Sequence, residues 1–216
     1  YMITRNRGSP ALKQFFTEAF AGTLISDFWG AYNKILCSAR QMCLVHLFRE
    51  LKTVDERNTS SGWQEFRKKL KRLMRDAVRL STVERISESA YASRRGCLDG
   101  RLALLIATPW QDADANRLVK RMKRHKDQVF TFLDHDGVPY ENNRAEREIR
   151  PAVIIRKNSL ANGSMKGAKT QAILMSIYRT LKLRGHDPVN TIVQALKTYL
   201  LTGTLPPLSG PKTLGG

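Results

Sequence analysis

The sequence predicts an α/β protein in which short strand-like segments precede a long helical block. Residues 22–27 form a β-branched and apolar run that ends in a carboxylate and is followed by a turn. A second apolar run, residues 41–46, passes into a helical pattern near Cys43. Residues 53–133 then show helical spacing, which is typical of an insertion between sheet elements.

The segments before the first of these strands are predicted in the same way. Residues 1–5 form a short strand-like run, and because the sequence does not start with methionine we expect a cut edge here. Residues 10–21 carry apolar side chains at helical spacing and stop at Gly22, which predicts a helix of about three turns.

The helical block contains the most regular pattern of the chain. Over residues 63–80 an apolar side chain recurs every three or four positions, and basic side chains occupy the other face, so a basic amphipathic helix is predicted. Further helices are predicted over residues 83–92, 100–108 and 113–133.

After the block, a turn-rich loop over residues 134–139 precedes a helix that Asn142 or Asn143 is predicted to cap and that Pro151 is predicted to interrupt. A last helix is predicted to continue to Gly185. The resulting organisation has a first core segment at 1–52, a helical insertion at 53–133, a second core segment with the C-terminal helices at 134–202 and a flexible tail at 203–216.

The charge of the chain indicates its class of partner. The 37 Lys and Arg against 19 Asp and Glu give a net charge of +18, which favours nucleic acid through phosphate contacts. A ribosomal or membrane-surface protein could have the same total. Without a long apolar run or a secretory signal, neither a membrane span nor export is predicted, and the three cysteines suit a cytoplasmic protein without disulfides.

Two carboxylates occupy positions suited to metal-dependent chemistry on a phosphate. Asp27 ends a predicted strand, and Glu146 lies in the first turn of a predicted helix. Hard divalent cations need such oxygen ligands on rigid elements. Turn or cap residues at the same positions would have no such role.

Cys43 and His46 have a spacing found in metal sites, but the sequence offers no evident second pair for a closed zinc centre. We therefore expect Cys43 to be a buried small hydrophobe, and His46 to order the strand-to-helix junction through a hydrogen bond.

Four motifs together resemble those of one family. The run NNRAEREIRPAVIIRKNS at 142–159 is similar to a signature of N-N-x-A-E-R followed by L-R-P and R-K-N-S. The runs GTLISDFWGAY at 22–32, CLVH at 43–46 and SIYRTLKLRG at 176–185 are similar, in the same order, to a D-G-Y-x-x-Y region, a C-W-A-H segment and an S-I-x-x-T-x-K-L-x-G helix. Over roughly residues 1–200 the chain thus resembles transposases of the insertion sequence 66 family.

The resemblance implies a ribonuclease-H-like, retroviral-integrase-like core of the DDE class, truncated at its N-terminal strands and carrying a mostly α-helical insertion. Asp27 matches the second aspartate and Glu146 the glutamate. Two Mg²⁺ ions, for which Mn²⁺ can substitute, would be held by these carboxylates during DNA strand cleavage and strand transfer. The implied setting is the bacterial cytoplasm at the nucleoid, and the full-length protein would be a homo-oligomer.

The implied DNA contacts, with transposon ends and target, fall into two groups. Residues near Glu146 would position the scissile strand, and residues of the insertion would hold flanking DNA: Arg147, Arg150, Arg156 and Lys157 in the first group, and Lys68, Lys69, Lys71 and Arg72 in the second. Alternatively, the basic helix face is only solvated, and Arg147 and Arg150 pair with Glu146 or Glu148.

The family's first catalytic aspartate has no counterpart here, since no aspartate precedes Asp27 in the sequence. We expect that aspartate upstream of Tyr1, and we expect the chain alone to bind DNA without cleaving it. The alternatives from other functional classes are a non-catalytic basic nucleic-acid-binding module and a basic component of a ribonucleoprotein particle.

Overall fold

The computed structural model describes residues 1–5, 8–159 and 162–211. The elements follow one another along the chain as helix α1 (Ser9–Phe15), strand β1 (Phe20–Ser26), a 3₁₀ turn (Gly30–Lys34), strand β2 (Cys37–Met42), and helices α2 (Leu44–Asp55), α3 (Ser61–Leu80), α4 (Glu88–Ala107) and α5 (Ala113–Arg124). A second 3₁₀ turn (Lys126–Gln128) precedes helices α6 (Thr131–Asp134), α7 (Asn143–Asn158), α8 (Met165–Leu183) and α9 (Pro188–Thr202).

The chain divides into two compact units. The larger unit is Gly8–Glu146, and the smaller unit comprises Tyr1–Arg7 and Arg147–Gly216. The division falls within α7, between Glu146 and Arg147.

Strands β1 and β2 of the larger unit pair in parallel, with Ser26 opposite Met42. The amide of Cys43 donates a hydrogen bond of 2.8 Å to the carbonyl of Ser26, which extends this pairing one residue beyond β2. Both strands therefore end at the same edge, and α2 begins there. A parallel strand pair among helices fits the predicted α/β class, although helices make up most of the described residues.

The core of the larger unit lies among the helices. It is formed by buried apolar side chains of α2 to α5 and of the segment that follows α5, and includes Leu44, Leu47, Leu51, Trp63, Phe66, Leu70, Leu73, Met74, Leu98, Leu102, Leu105, Leu118, Met122, Phe130 and Phe132. Every apolar position that the sequence assigns to the inner face of α3 is buried, because the spacing keeps these side chains on one stripe. Helix α2 shares this core with the predicted insertion.

Side-chain caps set several helix starts. Ser60 accepts a hydrogen bond from the amide of Trp63 at the start of α3, and Asp112 accepts one from the amide of Ala115 at the start of α5. In the smaller unit, Ser164 and Asp187 cap α8 and α9 in the same way. Helix α9 ends at Gly203, whose φ of 73° lies in the left-handed region that glycine adopts without a Cβ penalty.

The sequence predictions near the sheet need correction in three places. Residues 1–5 form no strand, and the helix predicted over residues 10–21 stops at Phe15. The predicted helix cannot continue to residue 21, because Phe20 already belongs to the parallel strand pair and its amide donates a hydrogen bond to the carbonyl of Leu36. The second strand lies earlier than the predicted 41–46, whereas the predicted junction near Cys43 is confirmed.

The helix predictions also need correction. Residues 88–92 and 100–107 belong to a single helix, α4, which continues through Gly96, whereas residues 83–87 precede this helix and Thr108 is its C-cap. The helix predicted over residues 113–133 breaks at His125, whose ring is buried, packs edge-on against Phe28 and contacts Gln128. Pro151 lies inside α7 and does not end it, although a proline lacks the backbone N–H and its ring crowds the carbonyl four residues earlier.

The C-terminal tail was predicted to be flexible. Described residues 203–211 contain no helix or strand. The last five residues of that predicted tail, 212–216, lie outside the described part of the chain. Within the described ranges, no helix combines the length and apolar composition needed to cross a membrane.

Candidate metal and nucleic-acid site

Asp27 lies directly after β1, at the edge where both strands end. Asp27 is half-buried as a residue, and its Oδ1 accepts an exposed hydrogen bond of 3.0 Å from the amide of Trp29. Burial and, secondly, the negative charge of Asp27 raise the pKa of Tyr32 above its ordinary value. The carbonyl of Ser26 accepts a hydrogen bond from the amide of Cys43. Asp27 is the next residue after Ser26, so it lies close to the backbone of Cys43.

Cys43 is fully buried and is the N-cap residue of α2. Its Sγ accepts a hydrogen bond of 3.3 Å from the amide of Asn142, and the amide of Leu44 donates one of 2.9 Å to the carbonyl of Tyr140. These two bonds hold the segment before α7 against the start of α2. The carbonyl of Asn142 then accepts the amide of Glu146, so Asn142 starts α7 through its backbone.

The same contacts bring Glu146 to α2, and we call Cys43, His46 and Glu146 the mixed-donor cluster. His46 Nε2 lies 3.4 Å from Glu146 Oε1, and Arg49 Nη1 lies 3.2 Å from Glu146 Oε2. One potential ligand atom from each of the three cluster residues lies within 4.8 Å of the other two. The side chains of His46 and Glu146 are 32% and 34% exposed, whereas Cys43 is fully buried.

Several polar atoms of this region are buried without a hydrogen-bond partner. Among the described residues they include His46 Nδ1, Glu146 Oε1 and Glu141 Oε2. A buried acceptor without a partner carries a free-energy cost unless a cation or another donor satisfies it. The cluster therefore has donor atoms suited to a cation, and the contact of Glu146 Oε1 with His46 Nε2 at 3.4 Å is an ion-pair distance that does not count as a hydrogen bond.

A second charged feature lies on the outer face of α3, and we call it the basic groove. It is a groove of about 340 Å³ with six basic side chains and one carboxylate along its wall: Arg67, Lys68, Lys71, Arg72, Arg75, Arg79 and Asp76. Because all seven come from one helix, the groove follows from spacing alone.

The cations of the basic groove differ in their partners. Arg67 pairs with Asp55 at 2.9 Å, and Arg72 and Arg79 lie within 4.0 Å of Asp76. Within the described part of the chain, no ion-pair partner faces Lys68, Lys71 or Arg75, so their positive charge is available to a phosphate. The predicted contact Lys69 lies outside the groove, paired with Glu65 and stacked over Trp110.

The four basic residues predicted on α7 belong to the smaller unit. Arg147, Arg150, Arg156 and Lys157 are all exposed. At about 100° per residue, Arg147, Arg150 and Lys157 share one side of the helix within about 80°, whereas Arg156 lies opposite Arg147. The alternative that Arg147 or Arg150 pairs with a glutamate of α7 is not observed, because Glu146 contacts α2 and Glu148 pairs with Arg179.

Some of the site residues were not among the predictions. Arg49 follows His46 by three positions on α2, so helical spacing could have indicated that both face the same partner. Arg75 could have been found from its position on the basic face of α3. No sequence pattern indicated that Oε2 of Glu141 would be buried without a hydrogen-bond partner among the described residues. Asn143, predicted beside the site, is the first residue of α7.

These features define a basic protein with three potential cation ligands close to one strand edge. The comparison with known proteins narrows the class: the model of the family described as "Transposase IS66 family" matches residues 1–170. The chain belongs to this family.

Two curated relatives from Sinorhizobium fredii (strain NBRC 101917 / NGR234) match shorter stretches. The uncharacterized protein y4qI is 40% identical over 65 residues, which is 30% of this chain and 12% of the relative. The uncharacterized protein y4jD is 30% identical over 88 residues, 41% of this chain and 17% of the relative. The matches thus span less than a fifth of either relative, and no solved structure is detectably similar to the chain.

Proposed function

We propose that the chain supplies the second aspartate, Asp27, and the glutamate, Glu146, of a DDE transposase that cleaves and joins DNA strands. The observation that carries the proposal is the meeting of their segments at one strand edge. Asp27 follows Ser26, whose carbonyl bonds to Cys43, and Cys43 in turn lies within 4.8 Å of Glu146. A reaction at a single phosphate needs its carboxylates gathered in this way.

The donor chemistry of the two carboxylates fits Mg²⁺. Both offer hard oxygen ligands, Asp27 directly after β1 and Glu146 on α7, and Glu146 Oε1 is buried without a hydrogen-bond partner among the described residues. When bound, Mg²⁺ would activate the attacking hydroxyl and stabilise the leaving oxygen of an in-line displacement. We propose that Asp27 and Glu146 hold two such ions, and that Mn²⁺ can replace them.

The chain's own side chains would prepare the glutamate for this role. Arg49 and His46 each contact one oxygen of Glu146 and so restrict its carboxylate to one orientation. Asp27 is held in a similar way by the amide of Trp29. A carboxylate oriented before the metal binds costs less ordering free energy on binding.

The order of elements supports a ribonuclease-H-like core. Two parallel strands end at the site, a helical block follows, and the helix that starts with the glutamate comes after the block. We propose that this is the second half of such a core and that α3, α4 and α5 form its insertion.

The first carboxylate of the triad is proposed to come from another part of the transposase. No aspartate precedes Asp27 in the sequence, and two carboxylates leave a pair of cations short of a bridging ligand. We therefore propose that this chain by itself binds DNA but does not cleave it.

DNA is proposed to contact two sets of basic side chains. The free cations of the basic groove would bind flanking phosphates, and the exposed cations of α7 would bind close to the scissile strand. The proposed substrates are transposon ends and target DNA at the bacterial nucleoid, handled by a homo-oligomer of the full-length transposase.

The test is strand cleavage by the full-length transposase that contains this sequence, with Mg²⁺ and a labelled transposon-end duplex. Glu146→Gln and Asp27→Asn are expected to reduce cleavage to background while DNA affinity is kept, because the amide preserves shape but loses the charge that holds a metal. Glu148→Gln, two positions along α7, is the matched control and should still cleave. Undiminished cleavage by Glu146→Gln would refute the assignment.

A non-catalytic DNA-binding module is the second candidate, and the free cations of the basic groove favour it. Binding by such a module does not require a metal. If neither carboxylate variant changes cleavage by the full-length protein, and the chain binds DNA equally with and without Mg²⁺, this second function is the correct one.

A further inference from the structure

We propose that Cys43, His46 and Glu146 form a Zn²⁺ site with three protein ligands and a fourth coordination position open to solvent. The sequence offers Cys43 and His46 as a pair, and the tertiary structure adds Glu146 from about a hundred residues further along the chain. A closed four-ligand centre is not formed by the described residues, since their cation-ligand cluster contains these three side chains alone.

The distances suit tetrahedral coordination. Zinc bonds of about 2.0–2.3 Å place neighbouring ligand atoms about 3.3–3.8 Å apart in a tetrahedron. His46 Nε2 and Glu146 Oε1 are separated by 3.4 Å, which is one edge of such a tetrahedron. The three donor atoms all lie within 4.8 Å of one another, so contraction by about 1 Å completes the set.

The types of donor select zinc over magnesium. A thiolate is a soft ligand and imidazole an intermediate one, and both suit Zn²⁺, whereas Mg²⁺ prefers oxygen ligands and retains water. Cys43 and His46 therefore distinguish this site from the pair of carboxylates proposed for magnesium, although Glu146 belongs to both.

The surroundings favour a metal-bound thiolate at Cys43. Cys43 precedes the first turn of α2, where the helix dipole favours negative charge. The amide of Asn142 donates to Sγ, which is the kind of outer hydrogen bond that supports a metal ligand. Glu146 Oε1 is buried without a hydrogen-bond partner among the described residues, and a cation would satisfy it.

The second oxygen of Glu146 is already engaged. Arg49 Nη1 contacts Oε2 at 3.2 Å, which leaves Oε1 on the side of His46. Arg49 thereby orients the carboxylate towards the proposed zinc position and offsets part of the negative charge of the ligands.

Bound zinc would tie the start of α2 to the start of α7 and would occupy the carboxylate proposed to bind magnesium. In this respect the inference rests on the proposed function: zinc and magnesium would compete for Glu146. The zinc site itself requires neither DNA nor catalysis.

The test is calorimetric titration of the metal-free 216-residue chain with Zn²⁺ in the absence of DNA. One equivalent is expected to bind to the wild-type chain. Cys43→Ser, His46→Ala and Glu146→Gln should each weaken binding at least about tenfold. Cys97→Ser and His135→Ala are the matched controls, since both residues are exposed and lie outside the cluster, and they should bind as the wild type does.

Co²⁺ provides a second readout that reports the ligand directly. A thiolate-to-cobalt absorption band in the near ultraviolet is expected for the wild type and for Cys97→Ser, and should be absent from Cys43→Ser. Far-ultraviolet circular dichroism checks that each variant is folded. If Cys43→Ser does not fold, the zinc affinity of Glu146→Gln decides the question, because that substitution changes a partly exposed side chain.

Absence of stoichiometric zinc binding, or binding that survives both His46→Ala and Glu146→Gln, would overturn the inference. Its failure is distinguishable from failure of the proposed function. Loss of cleavage in Glu146→Gln without any zinc binding supports the transposase assignment alone, whereas zinc binding with undiminished cleavage by Glu146→Gln supports the zinc site alone.

Discussion

The basic groove and the mixed-donor cluster are both charged features of the larger unit, but they are assembled differently. All residues of the groove come from α3, so a single helical period produces it. The cluster joins α2 to the start of α7, and its members meet only because Tyr140 and Asn142 are hydrogen-bonded to the start of α2. The groove therefore depends on one helix, whereas the cluster depends on the packing of distant segments.

The largest expected effect on stability comes from a substitution in the hydrophobic core of the larger unit, against which α2 and α3 both pack. Phe66 is fully buried beside Trp63 and Trp110, and Phe66→Ala should lower the free energy of unfolding by about 3–5 kcal/mol because it leaves a cavity. Denaturant unfolding of the two proteins measures the difference. A loss below about 1 kcal/mol would mean that α3 does not pack as described.

Gln41→Leu is expected to lower the free energy of unfolding less than Phe66→Ala does, and to affect the mixed-donor cluster and not the basic groove. The buried amide of Gln41 donates to the carbonyl of Val129 at 3.1 Å and accepts the amide of Phe132 at 2.9 Å. Its removal leaves buried backbone groups without partners and should cost about 2 kcal/mol. The contrast between the two features predicts weaker zinc binding in this variant together with an unchanged salt dependence of DNA binding.

The opposite outcome for Gln41→Leu would contradict this difference between the basic groove and the mixed-donor cluster. If DNA binding and its salt dependence deteriorate in the folded variant while zinc binding is retained, the groove and not the cluster depends on long-range packing. Circular dichroism at the assay temperature provides the control for folding.

The ion pair between Arg57, which follows α2, and Asp114 of α5 is expected to make a smaller, acid-dependent contribution to stability. The hydrogen bond from Arg57 lowers the pKa of Asp114, against an opposing effect of burial, and Asn58 lowers it further. Because the folded-state pKa of Asp114 is lowered, its carboxylate stabilises the folded protein at pH values above the unfolded-state pKa near 3.9. This stabilisation is lost as the pH falls through the folded-state pKa.

Asp114→Asn should therefore lower stability at pH 7 and reduce the loss of stability that the wild type shows on acidification below about pH 4. Thermal unfolding across this pH range measures both effects. Asp136→Asn, at an exposed position outside these contacts, is the control. An unchanged acid profile in Asp114→Asn would show that the pair contributes nothing.

Substitutions of basic side chains in the groove are expected to change the free energy of unfolding least. Lys68→Ala combined with Lys71→Ala should leave the free energy of unfolding within about 0.5 kcal/mol. DNA binding should change much more, because the slope of log affinity against log salt falls by about 0.9 for each lost phosphate contact, or about 1.8 for two. Lys13→Ala with Lys52→Ala, at exposed positions outside the groove, should leave the slope unchanged.

The same double variant tests whether the helix face is only solvated. An unchanged salt slope in Lys68→Ala with Lys71→Ala would remove the basic groove from the DNA path. The exposed cations of α7 would then be the remaining candidates, and Arg150→Ala with Lys157→Ala would be the next pair to measure.

Features that depend on local periodicity and charge could be predicted from the amino-acid sequence before the fold was known. The apolar stripe of α3, its basic face and the junction at Cys43 were all predictable, because neighbouring residues on one element specify them. Family membership was predictable as well, since its motifs are short contiguous runs, and the family match confirms it.

Features that depend on backbone pairing or on distant contacts could be seen only in the folded chain, because these interactions outweigh local preference. The end of α1 and the position of β2 follow from the parallel ladder, and α4 continues through two glycines once its apolar side is packed in the core. The contact of His46 and Arg49 with Glu146 could not be read from spacing, because a side chain about a hundred residues away has no fixed relation to them until the chain folds.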